Sequence, residues 1–226
     1  MNFVDVKAGE SVEGADIAAF RSEKKGSKYL YLMAGVHGDE VEGVYLLDQL
    51  FEWLKKNDNI DYPIIIVPNL NVDGYRAATR TNAHGVDLNR NFPTSTWKKD
   101  FKEKRYYPGP EPLSEPENKF LVKLFAKYPP QIIFTFHTWI PMVNSNGNCV
   151  ELAKKISEMN GYPLVCEDIE GHPTPGSLGD YSKEVLGAPV LTLECPELSE
   201  QKGLKEIWEE NRAAMQYILS TPSYFF

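Results

Sequence analysis

Short apolar runs rich in β-branched and aromatic residues alternate along this chain with longer stretches whose apolar residues recur at helical spacing. The runs are Tyr29 to Val36, Pro63 to Leu70, Gln131 to His137 and Ala188 to Cys195. Each is too short for a helix of ordinary length and suits a buried strand. Between them, residues 41–56 place Val44, Leu47, Leu50, Phe51 and Leu54 on one stripe, which predicts a helix with one buried face. A second helix is expected from Ser114, where Ser114-x-x-Glu117 reads as a capping box before Phe120, Leu121, Leu124 and Phe125. A third covers 149–161, with Gly161 placed to stop it, and a fourth covers 198–219, followed by a tail ending Tyr224-Phe225-Phe226. Strands interleaved with helices define an α/β layer architecture. The segment from Asn71 to Pro112, rich in Gly, Pro, Asn, Asp and Arg, is expected as a long loop. A loop of that length inside a compact domain usually carries function.

The chain has 226 residues, 42% of them hydrophobic, enough for one sizeable core and few for two, so a single domain over 1–226 is expected. Its 24 basic and 32 acidic residues leave a formal charge of -8, which disfavours nucleic acid and anionic membranes as partners. Cys149, Cys166 and Cys195 are three without a Cys-x-x-Cys pair, and are expected as reduced, buried thiols rather than disulfides or thiolate zinc ligands. The first twenty residues lack the basic start and apolar run of a signal peptide, which points to the cytoplasm. Apolar stretches the size of Tyr29 to Val36 fall far below the roughly 20 residues that cross a bilayer. Oligomeric state stays open, because a helix stripe for a core and one for a partner look alike.

His37 and Glu40, separated by two residues in a turn entering a helix, can face one ion. A pair of ligands from one turn and a third from a distant strand is a usual way to build a catalytic zinc site with a position left for water. His137, at the carboxyl end of a run, is the candidate third ligand. His-x-x-Glu alone better suits a helix start whose acids favour the macrodipole, and a lone His137 a satisfied strand-end histidine. Glu194 follows apolar and β-branched residues in a strand, where a carboxylate is costly to bury, so its pKa is expected to be perturbed.

With two further segments the pattern becomes specific. Asp73-Gly74, then Arg80, then Gly85-Val86-Asp87-Leu88-Asn89-Arg90-Asn91-Phe92 follow His37-x-x-Glu40, and the strand His137 and strand Glu194 come after them. In this order the sequence resembles the zinc metallocarboxypeptidases of the carboxypeptidase A-like family. His37-Gly38-Asp39-Glu40, Asn82 to Pro93 and Thr174 to Ser177 resemble its murein peptide amidase branch. The resemblance implies one mixed, twisted sheet flanked by helices. It implies His37, Glu40 and His137 as ligands of one Zn2+ per chain, though cobalt or nickel would suit such donors too. Asp87 then orients the first ligand histidine, Arg80 stands beside the scissile carbonyl, and Asn89 and Arg90 grip the substrate's terminal carboxylate. Glu194 is the general base.

The implied partner is a small peptide with a free C-terminal carboxylate, and the implied reaction is hydrolysis of the bond before its last residue. The implied substrate is the γ-D-glutamyl–meso-diaminopimelate bond of cell-wall peptides. Two positions depart from the family's pattern. Asp39 stands where the digestive enzymes have arginine, and either favours an amine on the substrate or caps the helix. His172 falls where the family has a mobile tyrosine, and either donates to the scissile amide or is a surface loop histidine. Trp139 either lines the pocket or packs. His84 is given no role. Competing expectations are an N-acyl amino acid deacylase of the aspartoacylase and succinylglutamate desuccinylase kind, whose members carry an extra C-terminal β domain, and an inactive relative that only binds carboxylates.

Overall fold

The structure, a computed structural model, describes residues 1–167, 171–199 and 201–225. Its strands are β1 (Phe3–Glu10), β2 (Asp16–Ser22), β3 (Tyr29–Met33), β4 (Ile64–Val67), β5 (Pro130–Trp139), β6 (Met142–Asn146), β7 (Leu164–Cys166) and β8 (Val190–Pro196). The helices are α1 (Val41–Lys55), α2 (Val72–Ala77), α3 (Pro116–Lys127), α4 (Val150–Asn160), α5 (Leu178–Tyr181) and α6 (Leu204–Leu219). All eight strands form one mixed sheet in the order β1-β2-β4-β3-β5-β8-β6-β7. The central β4, β3, β5 and β8 run parallel, with antiparallel pairs β1–β2, β2–β4 and β6–β8.

The four runs of the sequence are the four central strands. Every residue of β3 and β4 is buried because helices cover both faces, and so these strands read as continuous apolar runs instead of alternating ones. Leu30, Leu32, Ile64, Ile66, Phe134, Phe136, Leu191 and Leu193 pack under α1, α4 and α6. Tyr31, Met33, Ile65, Val67 and Ile133 face the other way, onto α3 and the 88–92 segment through Leu121, Leu124, Phe125, Leu88 and Phe92.

Several expectations need correction. The helix after Ser114 starts at Pro116 with Glu115 as its N-cap residue, and no side chain caps it. Proline at the first position brings its own helical φ, and Ser114 and Glu117 are taken elsewhere: Ser114 Oγ binds Glu115, while Glu117 accepts from Val12 N and Asn82. The last helix begins at Leu204 rather than Leu198, after Gly203 and the isolated bridge Ser199–Lys202. The 71–112 segment is not pure loop, since it holds α2. Cys149 and Cys195 are buried and all three thiols are free, but Cys166 is exposed at the end of the edge strand β7. The tail docks on the body: Phe225 is buried, its ring centroid 5.5 Å from that of Tyr62, and Phe226 lies outside the described residues. Gly161 does stop α4, with φ 77°. Among the described residues no helix is long and apolar enough to cross a membrane.

One topological feature positions the site. From β3 the chain crosses through α1 to β4 on one side, then returns through α3 to β5 on the other side of β3. At such a switch point the carboxyl ends of neighbouring strands lead apart and leave a crevice.

Candidate metal centre and catalytic cleft

The turn after β3 is shaped by glycines. Gly35 has φ 66°, and a Cβ there would lie 2.3 Å from Asn69 Oδ1. A Cβ on Gly38 would fall 2.0 Å from the carbonyl carbon of Gly74, so the turn before α1 and the first turns of α2 meet backbone to backbone. Only two glycines allow that approach. Gly38 N also donates to Arg80 O at 3.2 Å. The three sequence segments around His37, Asp73-Gly74 and Arg80 thus form one structural unit.

Glu40 is the N-cap residue of α1, yet its side chain makes no cap hydrogen bond. The carboxylate turns instead toward two imidazoles: His37 Nδ1 lies 2.7 Å from Oε1 and His137 Nδ1 lies 2.8 Å from Oε2. One ligand atom from each of the three buried residues falls within 4.8 Å of the others. His37 Nε2 stands 3.1 Å from Asp87 Oδ1, so both of its ring nitrogens face carboxylates. Burial and Arg80 push the His37 pKa down, but Glu40 and Asp87 outweigh them and raise it. Burial works against the charge of Glu40 and of Asp87. The imidazoles overcome it at Glu40, and His37 with Arg80 at Asp87, holding both carboxyls well below the usual range. Two imidazole nitrogens aimed at one carboxylate need protons between them, or a cation in their place. This donor set, with His37 backed by a carboxylate on its other nitrogen, fits zinc.

The remaining cleft residues are delivered by the sheet and by the 80–90 segment. Glu194 on β8 is in parallel register with His137 on β5, so the two side chains leave the same face side by side. Burial pushes the Glu194 pKa up to about 7, Glu40 adds to the rise and His137 opposes it. Arg80 reaches Asp87 Oδ2 through Nε and Nη2, each at 3.1 Å, and Glu40 Oε1 through Nη1 at 3.4 Å. Asn89 N donates to Asp87 Oδ1 at 2.9 Å, and Asn89 Oδ1 accepts from Leu178 N at 2.9 Å. Arg90 Nη1 donates to Asn89 O at 2.8 Å, and among the described residues no carboxylate is ion-paired with it.

Asp39 is exposed and adds to the negative surroundings of Arg80, and the helix it precedes carries no side-chain cap. His172 is exposed and meets Trp139 edge-on with ring centroids 4.7 Å apart, two residues along β5 from His137. His84, given no role, has Nδ1 2.8 Å from the buried Glu115, which together with Asn82 braces the turn leading into Asp87.

Sequence reasoning missed two residues. Glu42 is buried in the first turn of α1 and accepts from Leu198 N at 2.9 Å and Thr138 Oγ1 at 3.1 Å, tying the exits of β5 and β8 together. Tyr106 lies against Arg80 and Arg90. A lone acid two residues after Glu40 and one tyrosine among several carry no pattern that spacing could detect.

The family model for zinc carboxypeptidases matches residues 2–150 of this chain. The chain belongs to the zinc carboxypeptidase family. Among zinc carboxypeptidases and their kin it is similar to murein peptide amidase A of Escherichia coli (strain K12), at 30% identity over 202 residues, covering 84% of this chain and 81% of that protein. It is 28% identical to murein peptide amidase A of Vibrio campbellii, covering 84% of this chain and 79% of that protein. A crystal structure of murein-tripeptide amidase from Escherichia coli O157 superposes with TM-score 0.78 at 27% identity, covering 96% of this chain and 92% of that one. Carboxypeptidase A of Helicoverpa armigera shares the fold, with TM-score 0.77 at 18% identity over 96% of this chain and 68% of that one. The mixed sheet flanked by helices is thus the zinc carboxypeptidase fold.

Proposed function

We propose that this chain is a single catalytic domain, spanning 1–226, that hydrolyses the γ-D-glutamyl–meso-diaminopimelate bond of cell-wall peptides in the cytoplasm, where it serves their recycling. His37, Glu40 and His137 would hold one Zn2+, whose Lewis acidity acidifies water and polarises a carbonyl. Glu194 takes a proton from the attacking water and hands it to the departing amine, so that one carboxyl serves both steps. Arg80 meets the charge that develops on the scissile carbonyl oxygen, a stabilisation given mainly in the transition state. Asn89 and Arg90 bind the free terminal carboxylate, a task suited to a guanidinium that, among the described residues, is ion-paired with no carboxylate. Asp87 fixes the orientation of His37 and the place of Arg80. Asp39 favours a substrate bearing an amine, and His172 approaches the scissile amide from the rim beside Trp139.

The observation that carries this reading is the convergence of three buried donor side chains with Glu194 in register next to His137. The murein substrate rests on the similarity to murein peptide amidases over four-fifths of their length. The test is hydrolysis of L-Ala-γ-D-Glu-meso-diaminopimelate beside an α-linked peptide with a free carboxylate, with released amino acids quantified. Release of diaminopimelate is expected. Cleavage of the α-linked peptide alone would keep the carboxypeptidase chemistry and discard the murein substrate. Asp39→Asn is expected to raise KM for the diaminopimelate peptide, and an unchanged KM would remove Asp39 from the substrate contacts.

A further inference from the structure

Three guanidinium groups gather on one aromatic ring. The Cζ atoms of Arg80, Arg90 and Arg105 lie 5.4, 5.6 and 5.5 Å from the centroid of Tyr106. Two of these cations belong to the cleft, whereas Arg105 is exposed. Tyr106 ends the short helical turn Lys104–Tyr106 and is partly buried. That turn is fastened to the cleft motif, because Asp87 N donates to Tyr107 O at 2.8 Å.

The two cleft arginines differ in what else holds them. Arg80 is locked by Asp87 and Glu40. Among the described residues Arg90 donates to the neighbouring carbonyl of Asn89 and is ion-paired with no carboxylate; burial and the charge of Arg80 act against its own charge and outweigh the support of Asp87, Tyr106 and Asp180. A guanidinium so placed is drawn to an aromatic face, where the ring quadrupole attracts the cation and the two planes can lie together. Arg90 must also hold one orientation if its planar fork is to receive a carboxylate through two hydrogen bonds.

We propose that Tyr106 is a positioning residue for substrate binding: its ring holds Arg90 beside Arg80, so that the Arg90 fork is aimed at the free carboxylate of the peptide's last residue. The proposal deepens the carboxypeptidase reading above and rests on it. Because Arg80 is ion-paired with Asp87 and Glu40 while Arg90, among the described residues, is ion-paired with no carboxylate, loss of the ring acts on carboxylate binding and leaves the chemical step largely alone. It therefore raises KM more than it lowers kcat.

The experiment is steady-state hydrolysis of L-Ala-γ-D-Glu-meso-diaminopimelate by the zinc-loaded wild type and by Tyr106→Phe, Tyr106→Leu, Tyr106→Met and Arg105→Ala, each with its melting temperature. Tyr106→Phe keeps the ring face and is expected within about twofold of wild type. The two aliphatic variants are expected to raise KM roughly tenfold with kcat within about threefold, the size expected for a partly desolvated cation on a ring. Arg105→Ala is expected to leave both constants unchanged. Two aliphatic variants are used so that misfolding of one leaves the other as the test. An unchanged KM in the folded aliphatic variants would overturn the proposal, as would a fall confined to kcat or an equal loss in Tyr106→Phe. Absence of turnover by the wild type would instead overturn the functional reading on which the proposal rests.

Discussion

Replacing Asp87 by asparagine removes one charge and one acceptor oxygen while keeping the side chain's shape, and the structure sets how much that should cost. Asp87 is 0% exposed. Its Oδ1 meets His37 Nε2 at 3.1 Å and Asn89 N at 2.9 Å, and its Oδ2 meets Arg80 Nε and Nη2 at 3.1 Å each. An asparagine has one carbonyl oxygen, so whichever way it turns, its amide hydrogens face either the arginine or the His37 and Asn89 donors. Two buried donors then lose their acceptor, at about 1–3 kcal/mol each, and Arg80 loses its nearest counter-charge. Breaking a buried ion pair from one side costs about 3–5 kcal/mol, and that is the loss expected for the metal-free protein at pH 7. Zinc affinity should also fall by roughly 10- to 100-fold, as happens when the group behind a ligand histidine is removed. The pH dependence has a definite sign. Asp87 is held well below the usual carboxylate range, so its contribution is present above the unfolded value of about 3.9 and is lost as pH falls below it. Urea unfolding of both metal-free proteins at pH 7 and pH 3, with a competitive zinc titration at pH 7, measures all three effects. A loss under about 1 kcal/mol at pH 7 with unchanged zinc affinity would refute the reasoning.

Glu194→Gln is expected to lower kcat at least about 100-fold with zinc content unchanged, since proton transfer in the transition state is what it removes. In the metal-free protein the same variant should flatten one limb of the stability profile. With a folded value raised to about 7, wild-type Glu194 holds an extra proton above its ordinary range, and stability falls by up to about 3 kcal/mol as pH rises through that window. Equal pH profiles for the two proteins by urea unfolding would contradict this. Glu42→Ala leaves Thr138 Oγ1 and Leu198 N without their acceptor and should cost about 1–3 kcal/mol with a lower kcat, read by denaturation and steady-state kinetics, whereas wild-type values would show that the strand exits need no tie. Gly38→Ala places a methyl 2.0 Å from the Gly74 carbonyl carbon and should abolish stoichiometric zinc binding, so a variant that still holds zinc at wild-type affinity would show that the turn can yield.

Much of this arrangement was legible because the residues that make it also break local rules. β3, β4, β5 and β8 stood out since burial on both faces removes the polar alternation that a half-exposed strand keeps. β1 and β2 went unread for the converse reason. β1 is an edge strand with many exposed positions and a register shift between Val6 and Gly9, so no apolar period marks it. β6 and β7 are five and three residues long and rely on their neighbours for definition. The capping box at Ser114 failed because tertiary bonds claimed both of its side chains, a preference that no local pattern encodes. In the cleft, His37, Glu40, His137 and Glu194 could be picked from sequence, each being a polar residue at the end of an apolar run or beside a glycine turn. Glu42 and Tyr106 act through partners far away in the chain, and only the folded arrangement of α1, β5 and the 104–107 turn brings those partners together.

The central claim is that His37, Glu40 and His137 hold a zinc ion on which peptide hydrolysis depends. The most direct test is to measure zinc per chain and diaminopimelate release on one preparation, before chelation, after it, and after zinc is restored, beside His137→Ala. One zinc per chain, loss of turnover on chelation, recovery on restoring zinc, and neither metal nor turnover in the variant is the result this account predicts. Full turnover by the metal-free protein, or by a His137→Ala variant with no bound zinc, would contradict it.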